Sequence, residues 1–250
     1  MVDAWNEIAD WFAERQRAGS AMHEFARDIL FEQLPTELRG LRVLDIGCSQ
    51  GLLTRAAAER GAKALGIDPA ERMIEHALAA EAETPTGAEF AVDDGCALAT
   101  VGSASKDWVI AGLSLNNVPD LAACLLAVRR VLVPGGGLVA VIPHPCFEAP
   151  HASWTGDRDS PRRVVGDYAT EGFWRSDNPQ GVRRAGNRHR KLSTYVAALI
   201  EHGFALEAMT EPAPDEGVVA EQPRRAGLPP FLVLRARPDV NGTAAVAPRA

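Results

Sequence analysis

The chain has 250 residues, 46% of them hydrophobic, and a formal net charge of −7. That length suits one domain with a sizeable core, and the acid excess argues against nonspecific nucleic-acid binding, which needs Lys and Arg to neutralise phosphates. No apolar run approaches the roughly 20 residues that cross a bilayer, and the charged, amphipathic opening "MVDAWNEIADWFAERQR" is no signal peptide, so a cytoplasmic protein without membrane attachment is expected. Cys48, Cys96, Cys124 and Cys146 form no CxxC pair and read as free thiols, with no metal site expected.

In chain order, residues 4–18 predict an amphipathic helix with Trp5, Ile8, Ala9, Trp11 and Phe12 near one face. A second helix over 21–34 stops before Pro35. "LRVLDI" is then a buried strand, "LLTRAAAERG" a helix with Gly61 at its C-cap, and "AKALGID" a second strand. "PAERMIEHALAAEA" is a helix with Pro69 at its start. "AEFAVDD" and "DWVIAGLSL" are strands three and four. "VPDLAACLLAVRRVLVPGG" is a helix closed by a Pro-Gly turn, and "GLVAVIP" is strand five. Residues 143–190 are rich in Pro, Gly, Arg and aromatics, with weak periodicity. "KLSTYVAALIEHG" is a further helix, and "FALEAMTEP" and "PFLVLRARP" are two strands joined by a Pro-rich connection. Alternating strands and helices with short loops imply a doubly wound parallel sheet. One domain over 1–237 is expected, with an N-terminal helical cap (1–38), an insert (143–190) and a disordered tail (238–250).

The loop after strand one, "VLDIGCSQG", resembles a nucleotide-binding turn. A dinucleotide fingerprint wants G-x-G-x-x-G, and the frame "GCSQGL" keeps only Gly47. The spacing fits D-x-G-x-x-x-G instead, with Asp45, Gly47 and Gly51. An acid there suits a ligand with an ammonium group and repels a pyrophosphate. Asp68, at the end of strand two, can accept hydrogen bonds from both hydroxyls of a ribose. Strand three ends in Asp93 and Asp94, where a carboxylate can accept from an adenine amine. Three strands thus end in acids along the edge where parallel sheets bind ligands.

With "GIDPAERMIEHA", "VDDGCAL", "DWVIAGLSLNNVPD" and "VLVPGGGLVAVI" following in register, the chain resembles the class I S-adenosylmethionine-dependent methyltransferases over residues 40–237. The resemblance implies a Rossmann-like seven-stranded sheet with a reversed last strand. It implies S-adenosyl-L-methionine as cofactor and S-adenosyl-L-homocysteine as product. Carried over, Asp45, Gly47, Cys48 and Gly51 line the methionyl part, Asp68 holds the ribose, and Asp94 with Gly95 holds the adenine, with Met73 packed on it. Leu113 stands near the point of methyl transfer. Ser49 replaces the family's commoner middle glycine, and "GLSLNNVPD" lacks the Asn-Pro-Pro-aromatic motif of exocyclic-amine methylation.

The acceptor side is read from the N-terminal helices and the insert, which together hold Trp5, Trp11, Trp154 and Trp174. Such an aromatic lid fits a small organic substrate. "HPCF", "GDYATEGFW" and "RHRKLSTYVAALIEHGF" resemble a small-molecule branch of the family, placing His144, Tyr168, His189 and Arg190 towards the chamber. Trp11, Asn116 and Cys146 complete the candidate set. His144 reads either as a general base or as a structural residue of a Pro-bracketed turn. His189 reads as substrate contact or helix start, Cys146 as substrate-facing or a buried inert thiol, and Trp5 and Trp11 as chamber or core. Between Arg158 and Lys191 nine basic residues stand against four acids. They read as a solvated face paired with local acids, as a site for an anionic substrate, or as an RNA-binding patch. The expectation is methyl transfer to O or N of a small molecule, of the kind met in specialised metabolism, by a monomer or homodimer. RNA or protein methylation through the basic insert is the alternative.

Overall fold

The computed structural model describes residues 2–157, 160–178 and 181–239. Two helices, α1 (Val2–Arg17) and α2 (Ala21–Phe31), precede strand β1 (Arg42–Ile46). There follow α3 (Leu52–Glu59), β2 (Lys63–Asp68), α4 (Glu71–Glu83), β3 (Glu89–Val92), β4 (Lys106–Gly112), α5 (Leu121–Val131) and β5 (Leu132–Pro143). Two small ribbons come next: β6 (Ser153–Thr155) with β7 (Arg162–Val164), and β8 (Gly172–Trp174) with β9 (Asn187–His189). The chain then forms α6 (Leu192–Glu201), β10 (Phe204–Thr210), α7 (Glu216–Glu221) and β11 (Phe231–Pro238). Seven strands make one sheet in the order β10-β11-β5-β4-β1-β2-β3. β1 to β5 run parallel, and β11 lies antiparallel to both β5 and β10, so the last strand is reversed as expected.

Alternation along the strands sends side chains to two faces. Leu138, Ala140 and Ile142 of β5, with Val109, Ala111, Leu232 and Leu234, pack against α5 and α6. Val139, Val141, Trp108, Ile110, Phe231 and Val233 pack against α2. Each fully buried Leu, Ile or Phe contributes about 1.5–3 kcal/mol, so these two layers fix the sheet. They also align the C-terminal ends of β1 to β5 along one edge.

α1 and α2 touch through Phe12 and His23 but pack mainly on different partners. Phe25, Ile29, Leu30 and Phe31 bury α2 against the sheet, whereas α1 packs on α4 through Ala9, Phe12, Ala70 and Met73. Polar bonds fasten it: Asn6 Oδ1 accepts the Arg72 N–H at 3.1 Å, and Asp10 pairs with Arg72 and His76. Pro69 lies outside its helix, since Ala70 takes the N-cap position in extended conformation. α5 ends at Val131, and β5 runs on through Pro134–Gly136 because Lys106 and Leu132 are already in register. α7 occupies part of the Pro-rich connection between the last two strands, with the Asp215 carboxylate accepting from the Val218 N–H. Pro238 still belongs to β11, and the Asp239 N–H bonds Gly203, so the predicted tail does not begin at 238; its residues 240–250 lie outside those described.

Candidate active site

The loop after β1 approaches its neighbours too closely for side chains. Gly47 has φ +67°, and a Cβ there would lie 2.6 Å from Ser114 Cβ at the end of β4. Gly51, at φ +90°, opens α3 with its Cα facing the Phe90 ring, 2.6 Å from where a Cβ would sit. Between them Ser49 adopts φ 51°, a left-handed conformation that costs an L-residue about 1–2 kcal/mol. Two bonds hold it there: its N–H donates to Asp68 Oδ2 at 3.0 Å, and its hydroxyl lies 3.3 Å from Met73 sulfur.

The three strand-end acids differ in what they still offer. Asp45 is 1% exposed; its Oδ2 accepts from the Thr54 hydroxyl at 2.7 Å, and its Oδ1 has no partner among the described residues. Burial pushes its pKa up to about 7. Asp68 accepts from the Ser49 and Ala70 N–H groups, and burial raises it to about 6 against the pull of those bonds. Asp93 is consumed locally by the Asp94, Ala99 and Thr100 amides and the Thr100 hydroxyl. Asp94 is exposed, with Oδ1 taking only the Cys96 N–H. A buried carboxylate held near neutrality with an unpartnered oxygen fits a cation brought by a ligand, which would restore its charge. Ser114 Oγ, beside Gly47, is buried and also has no partner among the described residues.

The other cofactor-side candidates divide. Gly95 needs its missing side chain, since a Cβ would come within 2.7 Å of Ile46 Cγ2. Leu113 follows β4 at φ 58°, its N–H tied to the Val141 carbonyl at 2.7 Å; strain at such a turn gathers at functional sites. The Cys48 thiol turns inward beneath Gly66 and Thr54, away from the ligand edge, and burial raises its pKa, so only its backbone can serve a ligand. Met73 is 1% exposed, covered by Ala9 and Phe12 of α1.

On the acceptor side most candidates are already engaged. The His144 ring is buried; its Nε2 lies 2.6 Å from Glu211 Oε1, and its Nδ1 accepts the Cys146 N–H at 3.2 Å. A general base needs a free lone pair, so here the ring acts as an anchor of the turn. Arg190 spends its guanidinium on the Leu115, Val118 and Pro119 carbonyls. His189 bonds the Tyr168 carbonyl at 2.8 Å, and the Tyr168 hydroxyl accepts the Leu192 N–H. Cys146 is half-buried beside that turn. Trp11 is half-buried on α1, with the Arg184 guanidinium 4.0 Å from its ring centroid, so it joins α1 to the insert. Asn116 is 7% exposed, and its Oδ1 has no partner among the described residues.

Sequence reasoning missed the largest polar feature of the insert. Glu148, buried, accepts from Arg163, Arg183 and Arg225 at 3.3, 2.9 and 2.7 Å. The basic run is therefore not simply a solvated face: two of its arginines point inward at one carboxylate. Spacing gave no signal for this, since the partners lie 15, 35 and 77 positions away. Among the described residues, no group of three or more His, Cys, Asp or Glu is placed to hold a metal ion. None of their helices is long and apolar enough to cross a membrane.

Residues 44–140 match the family model described as a methyltransferase domain. The chain is also 31% identical to an S-adenosylmethionine-dependent methyltransferase from Mesorhizobium loti, with TM-score 0.72, over 88% of this chain and 99% of that one. The chain belongs to the S-adenosylmethionine-dependent methyltransferases. A structure of this family from Methanosarcina mazei, at 21% identity and TM-score 0.62, covers 85% of this chain and 98% of its own and shares the fold. Over 106 residues the chain is 41% identical to a ubiquinone biosynthesis O-methyltransferase of Leptothrix cholodnii; the match spans 42% of this methyltransferase chain and 45% of that relative.

Proposed function

We propose that the protein transfers the methyl group of S-adenosyl-L-methionine to an oxygen or nitrogen of a small organic molecule, leaving S-adenosyl-L-homocysteine. The observation that carries the reading is the row of strand-end acids, above all Asp45 with its unpartnered oxygen and a pKa near 7. Asp45 would meet the cofactor's ammonium, Asp68 the ribose hydroxyls and Asp94 the adenine amine. Gly47, Gly51 and Gly95 keep the backbone close, and Leu113 stands at the turn beside them. When bound, the cofactor supplies an electrophilic methyl group on a sulfonium.

The protein's own part is to hold the acceptor in line and keep water out. Positioning of this kind is worth up to about 7–11 kcal/mol. α1 and the insert do this work, joined by the stacking of Arg184 on Trp11. His144 fixes the turn after β5, and the acceptor's proton is released to bulk solvent when the products leave. Transfer to oxygen accords with the O-methyltransferase named above. The alternative of RNA or protein methylation loses support, because Arg163, Arg183 and Arg190 are bonded within the protein. A cytoplasmic location accords with the free cysteines, as a structural disulfide would need an oxidising compartment.

Incubation with S-adenosyl-L-methionine labelled at the methyl, across a panel of small alcohols, phenols and amines, tests the reading. Label is expected in a small-molecule product, with S-adenosyl-L-homocysteine formed in equal amount. Label entering RNA or protein alone would overturn it.

A further inference from the structure

We infer that Thr54 acts on the methyl donor through Asp45: its hydroxyl fixes one carboxylate oxygen and so leaves the other for the donor's ammonium. Thr54 is then a positioning residue, a role that rests on the reading of Asp45 as the acid that meets the ammonium. Thr54 lies in the first turn of α3 and is 0% exposed. Its hydroxyl donates to Asp45 Oδ2 at 2.7 Å. Its amide, in the turn whose N–H groups lack helical partners, bears on the same carboxylate. A carboxylate is planar, so holding Oδ2 on α3 puts Oδ1 on the side away from Thr54, and Oδ1 has no partner among the described residues.

The sheet makes room for this contact. Gly66 of β2 stands beside Asp45 of β1 in the parallel register. A Cβ on Gly66 would come within 2.5 Å of Thr54 Oγ1 and 2.8 Å of Cys48 Sγ. Glycine weakens a strand interior and marks a close approach there; what approaches Gly66 is the Thr54 hydroxyl with the Cys48 thiol. Stability alone does not account for the arrangement. Replacing a buried polar pair by apolar groups of the same shape is nearly neutral or stabilising, and here the acid keeps one oxygen unmet among the described residues.

The hydroxyl acts on charge as well as on orientation. Burial raises the Asp45 pKa to about 7, the Thr54 hydroxyl pulls it down, and nearby Asp68 pushes it up. The Cys48 thiol, the other titratable group beside it, is itself raised by burial and stays neutral. Without the hydroxyl, Asp45 loses its fixed orientation and holds its proton more tightly, and a neutral acid offers an ammonium no charge. Both effects fall on the methionyl end of the donor. Asp68 is held by the Ser49 and Ala70 amides and Asp94 by that of Cys96, so the ribose and adenine ends are served independently of Thr54.

The test is calorimetric titration of the full chain near neutral pH with two ligands. S-adenosyl-L-homocysteine carries the ammonium; methylthioadenosine keeps the thioether, ribose and adenine and lacks it. Wild type, Thr54→Val, Thr54→Ser and Asp45→Asn are compared, with Thr54→Ala in place of the valine variant if that one fails to fold. Thr54→Val is expected to weaken S-adenosyl-L-homocysteine at least about tenfold, the loss of one hydrogen bond to a charged group, and to leave methylthioadenosine unchanged. Thr54→Ser keeps the hydroxyl and is expected to bind both ligands as wild type does. Equal weakening of the two ligands by Thr54→Val, or equal losses in the serine and valine variants, overturns the inference, because packing and not the hydroxyl is then at work. Undiminished S-adenosyl-L-homocysteine binding by Thr54→Val, with Asp45→Asn weakened, overturns it too. Undiminished binding by Asp45→Asn overturns the reading of Asp45 itself, and the role of Thr54 with it.

Discussion

The sheet edge and the insert hold opposite charges and treat them oppositely. At the edge, acids at the ends of β1 and β3 keep unused capacity: an Asp45 oxygen without a partner among the described residues and an exposed Asp94. In the insert, Arg163 and Arg183 surround Glu148 and Arg190 closes on three carbonyls. The denser charge is the one already spent. Ligand sites are thus better sought where polar capacity is unmet than where charge is concentrated in the sequence. Arg188 differs within the insert, because its buried Nε has no partner among the described residues.

Glu148→Gln should have the largest effect, and it falls on the insert. It leaves buried guanidiniums without their carboxylate, a loss of about 3–5 kcal/mol by urea denaturation. A loss under about 1 kcal/mol would mean that the arginines are solvated after all. Asp68→Ala acts on the edge, where it also frees the Ser49 and Ala70 N–H groups, and should weaken S-adenosyl-L-homocysteine by about 1.5–3 kcal/mol, roughly 10- to 150-fold in Kd.

Asp45→Asn should separate function from stability. The folded protein holds the Asp45 proton up to about pH 7, whereas the unfolded chain releases it near 3.8. Between those values the folded state binds the extra proton, so this group's contribution to stability falls as pH rises through that window and levels off above it. Asp68, raised to about 6, acts in the same direction. The asparagine variant is therefore expected to be about 1–3 kcal/mol more stable than wild type at pH 8 without ligand, with little gain at pH 4, and to bind cofactor less well. Thermal denaturation at the two pH values checks the sign; a variant less stable at pH 8 would show that Asp45 is a structural anion. The smallest change is expected from Ser49→Gly. Relief of the φ 51° strain and the added freedom of the unfolded chain nearly cancel, within about 1 kcal/mol, and cofactor affinity should hold.

The edge was legible because its signals are local. A strand, an acid and a glycine turn lie within a few residues, so "VLDIGCSQG" specifies Asp45, Gly47 and Gly51 with little help from the rest of the chain. The residues alone left Asp93 and Asp94 open and the family resemblance pointed to Asp94; the reason Asp93 is taken, its capture by Thr100, is visible only in three dimensions. The insert was opaque for the opposite reason. Its ribbons are three residues per strand, too short for a period, and Glu148 draws its partners from β7, the turn before β9 and the segment before β11. His144 illustrates the limit: its place after β5 was readable, but the bonds to Glu211 and Cys146 that occupy its ring were not. α7 did carry a local signal, Asp215 followed by Glu216, hidden among prolines.

Calorimetric titration of S-adenosyl-L-methionine into wild type, Asp45→Asn and Asp68→Ala addresses the central claim, that the acids at the sheet edge hold the cofactor. Wild type is expected to bind one equivalent per chain, and both variants to bind more weakly. Equal affinity in all three proteins, or no binding to wild type, would contradict it.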